Sequence, residues 1–151
     1  MEIIKAEIAD AGKILEIQKI AYLSEARRYD DYEIPPLRQT LDEIKQEFAT
    51  HVFLKAVIES ELVGSVRGYQ TNDSCHIGRL IVLPEHQNKG IGSALLKEIE
   101  NHFGTTRRFE LFTGAQSHEN LRLYKRHGYN EFKKEQLKTK VFLVYMEKHI
   151  R

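Results

Sequence analysis

Hydrophobic side chains recur at helical spacing in two long stretches of the chain. Between residues 10 and 25 they fall three or four positions apart, and between residues 90 and 103 they fall every four positions. This is the period of an α-helix with one apolar face. Both stretches are therefore predicted to be amphipathic helices.

Two shorter helices are predicted from the residues at their ends. Thr40 precedes the run LDEIKQEF, and Glu43 stands three residues after it, which is the capping-box pattern of a helix start. The run ENLRLYKRHG ends in Gly128, a residue type that is common just after a helix. Helices are thus expected from residue 41 and over residues 119–128.

Short apolar or alternating runs between these helices predict β-strands. Such runs are rich in β-branched and aromatic residues and are bounded by polar turn residues. Two of them flank Glu59-Ser60-Glu61 and predict a hairpin. The predicted strands are residues 2–7, 51–58, 62–70, 75–83, 107–113 and 139–148.

The order of these elements predicts a single α+β domain over residues 1–151. No repeat or low-complexity linker divides the chain, and the polar segment 27–39, with Pro35 and Pro36, predicts a stiff loop. The strand over 75–83, the helix over 90–103 and the strand over 107–113 follow one another. Because such a connection crosses over the sheet, these two strands are predicted to be parallel.

Composition and charge exclude several classes of protein. The chain has 151 residues, of which 41% are hydrophobic and 30% charged, so a folded core is expected rather than disorder. The net charge is only +1, so the chain has no strong positive field that would attract nucleic acid or an anionic membrane, and neither is predicted as a partner. No apolar run reaches the ~20 residues of a membrane-spanning helix. Charged residues near the N-terminus also interrupt any signal-peptide core.

The cysteine and histidine content restricts the chemistry further. Cys75 is the only cysteine, so no internal disulfide is expected, and a cytoplasmic location is predicted. No histidine and aspartate arrangement accompanies Cys75 that would predict a nucleophile. The seven histidines lack metal-ligand spacing, and no metal site is predicted.

Two glycines stand at the predicted turn from strand 75–83 into the following helix. Gly90 and Gly92 leave the first helical N–H groups uncovered, and an anion such as a pyrophosphate binds well at such a helix start. Lys89 adds a positive charge beside them. The glycines equally fit an awkward turn at Gly90 and close helix–strand packing at Gly92. The pattern lacks the third glycine of a dinucleotide fingerprint and the GK[ST] of a P-loop.

Two longer strings resemble one enzyme family. RLIVLPEHQNKGIGSALL resembles the acetyl-CoA signature of the GCN5-related N-acetyltransferases, the GNAT superfamily, whose core is Q/R-x-x-G-x-G/A after a strand. Gln87, Gly90 and Gly92 occupy the specified positions. NLRLYKRHGYNEF resembles a later segment of the same family. The resemblance implies a GNAT-like mixed, mostly antiparallel sheet, flanked by helices, with a splayed parallel pair formed by GRLIV and FELFT.

The resemblance also implies a cofactor site for acetyl-CoA or CoA. In this family the pantetheine arm enters between the splayed strands and pairs with exposed backbone, as in β-augmentation. Residues of the strand end would meet the pantetheine, the turn and helix start would hold the pyrophosphate, and one asparagine would bind the amide region. The implied residues are Leu80, Ile81 and Val82; Gln87, Asn88, Lys89, Gly90, Ile91, Gly92 and Ser93; and Asn120.

The implied reaction is direct transfer of the acetyl group to a primary amine, with the amine as the attacking group. Tyr124 lies four residues after Asn120 on one helix face and resembles the family's general acid for the departing thiolate. It equally fits a core tyrosine. His76 and Glu110 are alternative candidates for the general base, and His76 also fits a surface or hydrogen-bonded strand histidine.

The acceptor remains open at this level. Residues 22–37 are expected to overhang the acceptor side, where Tyr29, Tyr32 and Glu33 suit a cationic amine of a small molecule. An exposed loop has the same composition. The alternatives are a protein or peptide N-acetyltransferase and a non-catalytic CoA-binding regulatory module. A homodimer is compatible with the sequence.

Overall fold

The computed structural model describes residues 1–150 and contains one seven-stranded mixed sheet. The strand order is β1-β2-β3-β4-β5-β7-β6, with β4 and β5 parallel and all other neighbours antiparallel. The strands are β1 (Glu2–Lys5), β2 (Val52–Ile58), β3 (Glu61–Thr71), β4 (Ser74–Val82), β5 (Arg108–Gly114), β6 (Asn130–Lys138) and β7 (Val141–His149). The predicted α+β sheet with one parallel pair is thereby confirmed.

Helices cover the sheet on both faces. The α-helices are α1 (Ala11–Ala21), α2 (Leu23–Tyr29), α3 (Pro35–Arg38), α4 (Leu41–Glu47), α5 (Ile91–His102) and α6 (His118–Arg126), and 3₁₀ turns occupy Ile8–Asp10 and Pro84–His86. On one face, α5 buries Leu95 and Ile99 against Val66 and other strand residues. On the other, α1 and α4 form a second cluster around Phe53.

The parallel pair separates after its first three residues. Ser74 to His76 of β4 pair with Arg108 to Glu110 of β5, and no pairing between the two strands continues beyond them within residues 1–150. Arg79 stands in the left-handed region (φ 50°) where the register between β3 and β4 shifts. A bulge of this kind bends a strand and increases its local twist. The end of β4 thus leaves its edge towards β5 free.

Most predicted helices are confirmed, with two differences on the acceptor side. The helix predicted over 10–25 is divided at Tyr22 into α1 and α2, and α2 continues to Tyr29, where Asp30 ends it in the left-handed region (φ 49°). The loop predicted over 27–39 contains the short helix α3, which begins at Pro35, a residue favoured at the first helical position. The Thr40 capping box of α4 is formed as predicted.

Strand β6 was not predicted from the sequence. Its residues, NEFKKEQLK, are mostly polar and exposed, because β6 is the edge strand of the sheet and pairs only with β7. An edge strand with charged side chains buries little and lacks the alternating apolar pattern. Among residues 1–150, no helix has the length and apolar character needed to cross a membrane.

Candidate active site

A cleft opens where β4 and β5 separate. It has a volume of about 240 Å³ and is bounded by the end of β4, the start of α5, the outer side of α6 and the α1–α2 junction. Most of the predicted cofactor-binding residues line it. They are Leu80, Ile81, Val82, Gln87, Asn88, Gly90, Ile91, Gly92, Ser93 and Asn120. Lys89 is exposed and does not belong to the lining.

The start of α5 presents unpaired backbone N–H groups to the cleft. Gly90 is the N-cap residue, with φ 83°, and no side chain caps the helix. Its carbonyl accepts the N–H of Ala94, the first bond of the helix. The N–H groups of Ile91, Gly92 and Ser93 precede that bond and have no intrahelical acceptor. Together with the helix dipole, this arrangement fits the pyrophosphate of a CoA cofactor.

Three polar side chains of the lining have defined partners. The Gln87 amide donates to the Val82 carbonyl at 3.1 Å and so fixes the turn between β4 and α5. Ser93 Oγ is 3.1 Å from His127 Nε2, which ties the start of α5 to the end of α6. Asn120 donates to Thr113 Oγ1 of β5 at 3.3 Å. These three contacts fix the positions of β4, α5 and α6 relative to their neighbours.

Tyr124 lies behind the cleft wall on α6. Its side chain is 5% exposed and packs in the core formed around α5. Burial raises the pKa of its hydroxyl, and the charge of Glu25 and the nearby Tyr22 contribute in the same direction. The phenol therefore stays protonated over the physiological range, which is the state that a proton donor requires.

His76 and Glu110 lie at the paired end of β4 and β5. They are register partners, with His76 Nδ1 3.9 Å from Glu110 Oε2. His76 stacks on Tyr69 and is 2.9 Å from Thr71 Oγ1, while Glu110 accepts from Arg108 at 2.8 Å. Within the described chain, neither residue lines the cleft. Both side chains are engaged in surface contacts of the sheet.

Glu25 is a half-buried carboxylate that lines the cleft and that the sequence did not single out. Glu25 and Tyr22 lie on consecutive helical turns at the α1–α2 junction and both line the cleft. Tyr22 and Glu25 lie three residues apart in the helix predicted over residues 10–25, and the loop was predicted over residues 27–39. Their position beside α6 depends on contacts with residues distant in sequence, such as Ser117, and so could not be predicted from the neighbouring residues.

The predicted acceptor residues divide into two groups. The Tyr29 hydroxyl accepts the N–H of Gln116 at 2.8 Å and lies 3.2 Å from Ser117 Oγ, so it contacts the loop that leads into α6. Tyr32 is 54% exposed, and Glu33 pairs with the exposed Arg38 at 3.6 Å. The structure brings Tyr29 near the cleft and leaves Tyr32 and Glu33 on the surface.

Comparisons with known proteins agree with this geometry. The model of the acetyltransferase (GNAT) family matches residues 13–129. A search of curated protein sequences finds no significant match.

Three solved structures illustrate the shared fold. The protein smu.2055 from Streptococcus mutans UA159 superposes with a TM-score of 0.84 at 19% identity, covering 99% of both chains. The PaiA N-acetyltransferase from Thermoplasma acidophilum, in complex with coenzyme A, gives 0.69 at 24% identity, covering 99% of this chain and 98% of the other. The ribosomal-protein-S18-alanine N-acetyltransferase from Escherichia coli gives 0.78 at 17%, covering 99% and 93%.

The family match begins at the third residue of α1 and spans α2, the end of β4, the glycine turn and α6 with Tyr124. These are the elements that form the cleft. The chain therefore belongs to the GNAT family of acetyltransferases and is an acetyl-CoA-dependent acyltransferase.

Proposed function

We propose that this protein is an N-acetyltransferase that moves the acetyl group of acetyl-CoA directly to the primary amine of a small molecule. One observation carries the proposal: the free edge of β4, the uncapped start of α5 and a carboxylate on α2 converge on a single cleft, with Tyr124 behind its wall. The first two fit the donor, and the carboxylate fits a cationic acceptor.

The chain's own residues divide the binding of the donor among them. The backbone of Leu80 to Val82 would pair with the pantetheine arm, since this edge has no strand partner after His76. The turn from Gln87 to Ser93 would hold the pyrophosphate, and Asn120 the amide region. Acetyl-CoA supplies an activated thioester, so no protein nucleophile is needed.

The remaining chemistry is the movement of protons. An alkyl ammonium has a pKa of about 10, so the acceptor must first lose a proton to become a nucleophile. As the C–N bond forms and the C–S bond breaks, the amine loses a second proton and the thiolate gains one. Tyr124 is proposed to donate the proton that the thiolate gains. The two protons that the amine loses pass to solvent and Tyr124 regains one from it, so the net release is one proton for each acetyl group transferred.

The alternative acceptor is an amine of a protein or peptide. The Escherichia coli neighbour is described as acting on an alanine of ribosomal protein S18, and a similar fold accommodates that activity. The small-molecule proposal rests on the position of α2. Tyr29 and Glu25 bind the loop before α6, so that α2 lies beside the cleft and bounds the space left for the acceptor. A non-catalytic CoA-binding module is the third alternative, and it does not require a buried, protonated Tyr124.

An acetyl-transfer screen tests these alternatives directly. Acetyl-CoA is incubated with small amines, polyamines, amino acids and peptides, and the release of free thiol is measured. Release with small amines supports the proposal, and release only with peptides supports the alternative acceptor. CoA binding without release by any acceptor in the panel would indicate the non-catalytic module.

Location and assembly complete the proposal. We propose a cytoplasmic enzyme, because Cys75 is free and fully buried, as expected in a reducing compartment. The homodimer stays a prediction. Sedimentation at micromolar concentration measures it.

A further inference from the structure

Glu25 is a carboxylate fixed in position at the wall of the cleft. Its side chain is 17% exposed, and both of its oxygens accept hydrogen bonds from the protein. Arg28 Nη1 donates to Oε1 at 2.8 Å, and Ser117 Oγ donates to Oε2 at 2.7 Å. Each carboxylate oxygen can accept a second hydrogen bond. Both oxygens can therefore still accept a hydrogen bond from a ligand.

The position of Glu25 depends on a contact between α2 and the loop before α6. The Tyr29 hydroxyl occupies the space that a side chain would fill at Gly114, 2.1 Å from an ideal Cβ. The same hydroxyl binds the Gln116 N–H and Ser117 Oγ, and Ser117 is 1% exposed. The chain thus builds a hydrogen-bonded support behind the carboxylate.

The surroundings of Glu25 suit an ammonium group. Tyr22, on the adjacent helical turn, lines the same cleft and offers an aromatic ring. Glu25 lines the cleft and accepts from Ser117, which directly precedes α6, the helix that carries Tyr124. Burial raises the pKa of Tyr22 and of Tyr124, and the charge of Glu25 acts in the same direction on both. An amine bound there is close to the residue proposed to protonate the thiolate.

Four cations lie in or near this region and partly offset the carboxylate: Arg28 and Arg126 line the cleft, and Arg79 and Arg67 act on Tyr22. Arg28 is paired with Glu25 itself. Arg67 and Arg79 lower the pKa of Tyr22, but the charge of Arg67 is matched by Glu47, whose Oε1 lies 3.5 Å from Arg67 Nε. Within residues 1–150, the other carboxylate of the lining is Glu119, on the exposed side of α6. Glu25 is the half-buried member of the two.

We propose that Glu25 binds the ammonium group of the acceptor and determines the preference of this site for cationic primary amines. This inference rests on the proposed function, because it assigns the acceptor end of the same cleft. The ammonium N–H groups donate to Glu25, and the Tyr22 ring covers the cation. The loss of the first proton then occurs with the nitrogen already placed.

Binding of a simple cation to the CoA-loaded protein tests the proposal without requiring turnover. n-Butylamine, which is protonated at pH 7, is compared with 1-butanol, which is neutral and of similar size, by NMR titration. We expect wild type to bind the amine at least tenfold more tightly than the alcohol. Glu25→Gln reduces this ratio to within threefold, whereas the matched charge removal Glu98→Gln, at an exposed position of α5 outside the cleft lining, leaves it unchanged within twofold.

Two results overturn the proposal: no preference for the amine in wild type, or a preference that Glu25→Gln retains. CoA affinity is measured in every variant to establish that the cleft is intact. If Glu25→Gln does not fold, Glu25→Ala decides, because it also removes the carboxylate; a preference for the amine that is retained there overturns the proposal. A preference that depends on Glu25, combined with no thiol release for any amine, supports the inference and rejects the proposed function.

Discussion

Gly90 and Gly92 stand two residues apart and are glycines for different reasons. Gly90 has φ 83°, a conformation that costs other residues energy, although a Cβ there would meet no atom within 4 Å. Gly92 has an ordinary helical backbone, and a Cβ there would lie 3.6 Å from Leu123, which is normal packing contact. Neither turn geometry nor packing requires glycine at position 92. The remaining reason is the cleft, which Gly92 lines.

Gly92→Val is therefore expected to abolish most CoA binding and to leave the fold intact. Wild type should bind CoA in the micromolar range, about −8 kcal/mol. The added side chain blocks the approach of a phosphate to the free N–H groups of α5. Isothermal titration calorimetry measures the affinity. The control is Gly12→Ala in α1, where a Cβ meets nothing within 4 Å; it should stabilise the protein by about 0.5–1 kcal/mol and keep CoA affinity. Equal affinity in Gly92→Val would reject the pyrophosphate site.

Tyr124 is predicted to act through its hydroxyl alone. Tyr124→Phe keeps the buried ring, so turnover should fall by ~10²–10⁴-fold with little change in KM for acetyl-CoA. Because burial raises the pKa of the phenol, wild type should show no loss of activity from its ionisation below about pH 10. Steady-state kinetics on an acceptor found by the screen provides the measurement.

Tyr129→Phe is the matched control for Tyr124→Phe. Tyr129 is also buried, does not line the cleft, and donates from its hydroxyl to Glu100 at 2.7 Å. Removing that hydroxyl should cost about 1–3 kcal/mol of stability and leave turnover within twofold. Turnover of Tyr124→Phe within twofold of wild type would make Tyr124 a packing residue only.

Helix α2 is held against the rest of the fold mainly by polar contacts. Tyr29 and Glu25 bind the loop between β5 and α6, and Asp31, just after the helix, pairs with Lys138 of β6 at 2.6 Å. Of the seven residues of α2, only Ala26 is fully buried. A helix of this length has little stability of its own. These side-chain contacts thus decide where α2 lies.

Gly114→Ala tests the contact between α2 and β5. The new Cβ would lie 2.1 Å from the Tyr29 hydroxyl oxygen and 2.6 Å from Cζ, so the tyrosine must move and lose its bond to Gln116. We expect a loss of about 1–2 kcal/mol of stability by urea unfolding. In a Tyr29→Ala background the same change should be nearly neutral, because the clash is gone. Additive effects of the two changes would contradict the contact.

The whole molecule contains several buried groups that resist ionisation. Burial raises the pKa of Tyr124, Tyr129 and Cys75, the last from 9.0 to about 12. A group whose pKa is raised on folding contributes stability below its unfolded pKa and loses that contribution as the pH rises towards its folded pKa. The protein should therefore lose stability progressively between pH 9 and pH 12.

Cys75→Ala distinguishes the contribution of the Cys75 thiol to the pH dependence of stability from that of the tyrosines. At pH 7 the variant should be less stable by about 1 kcal/mol, because buried sulfur is lost. Between pH 9 and pH 12 wild type loses up to about 4 kcal/mol through the ionisation of Cys75 in the unfolded chain, and the variant does not. The order of stability should reverse within this interval. Urea unfolding at pH 7, 9, 10 and 11 measures it, and parallel curves would show that Cys75 does not contribute.

Local sequence determined the elements whose signals lie within a few residues. The Thr40 capping box, the apolar period of α5 and the glycine turn before it all act over one or two helical turns. The order strand, helix, strand determined the parallel pair through the handedness of the crossover. The family resemblance of residues 79–96 identified one wall of the cleft for the same reason, since that wall is built from one continuous segment.

Tertiary structure decided the features whose causes are distant in sequence. Strand β6 exists because β7 pairs with it, although its own side chains bury little. Glu25 reaches the cleft because Ser117, 92 residues away, donates to it. His76 and Glu110 share a register but lie at the paired end of their strands, away from the splay. In each case the deciding contact joins residues with no local pattern in common, so only the folded chain brings them together.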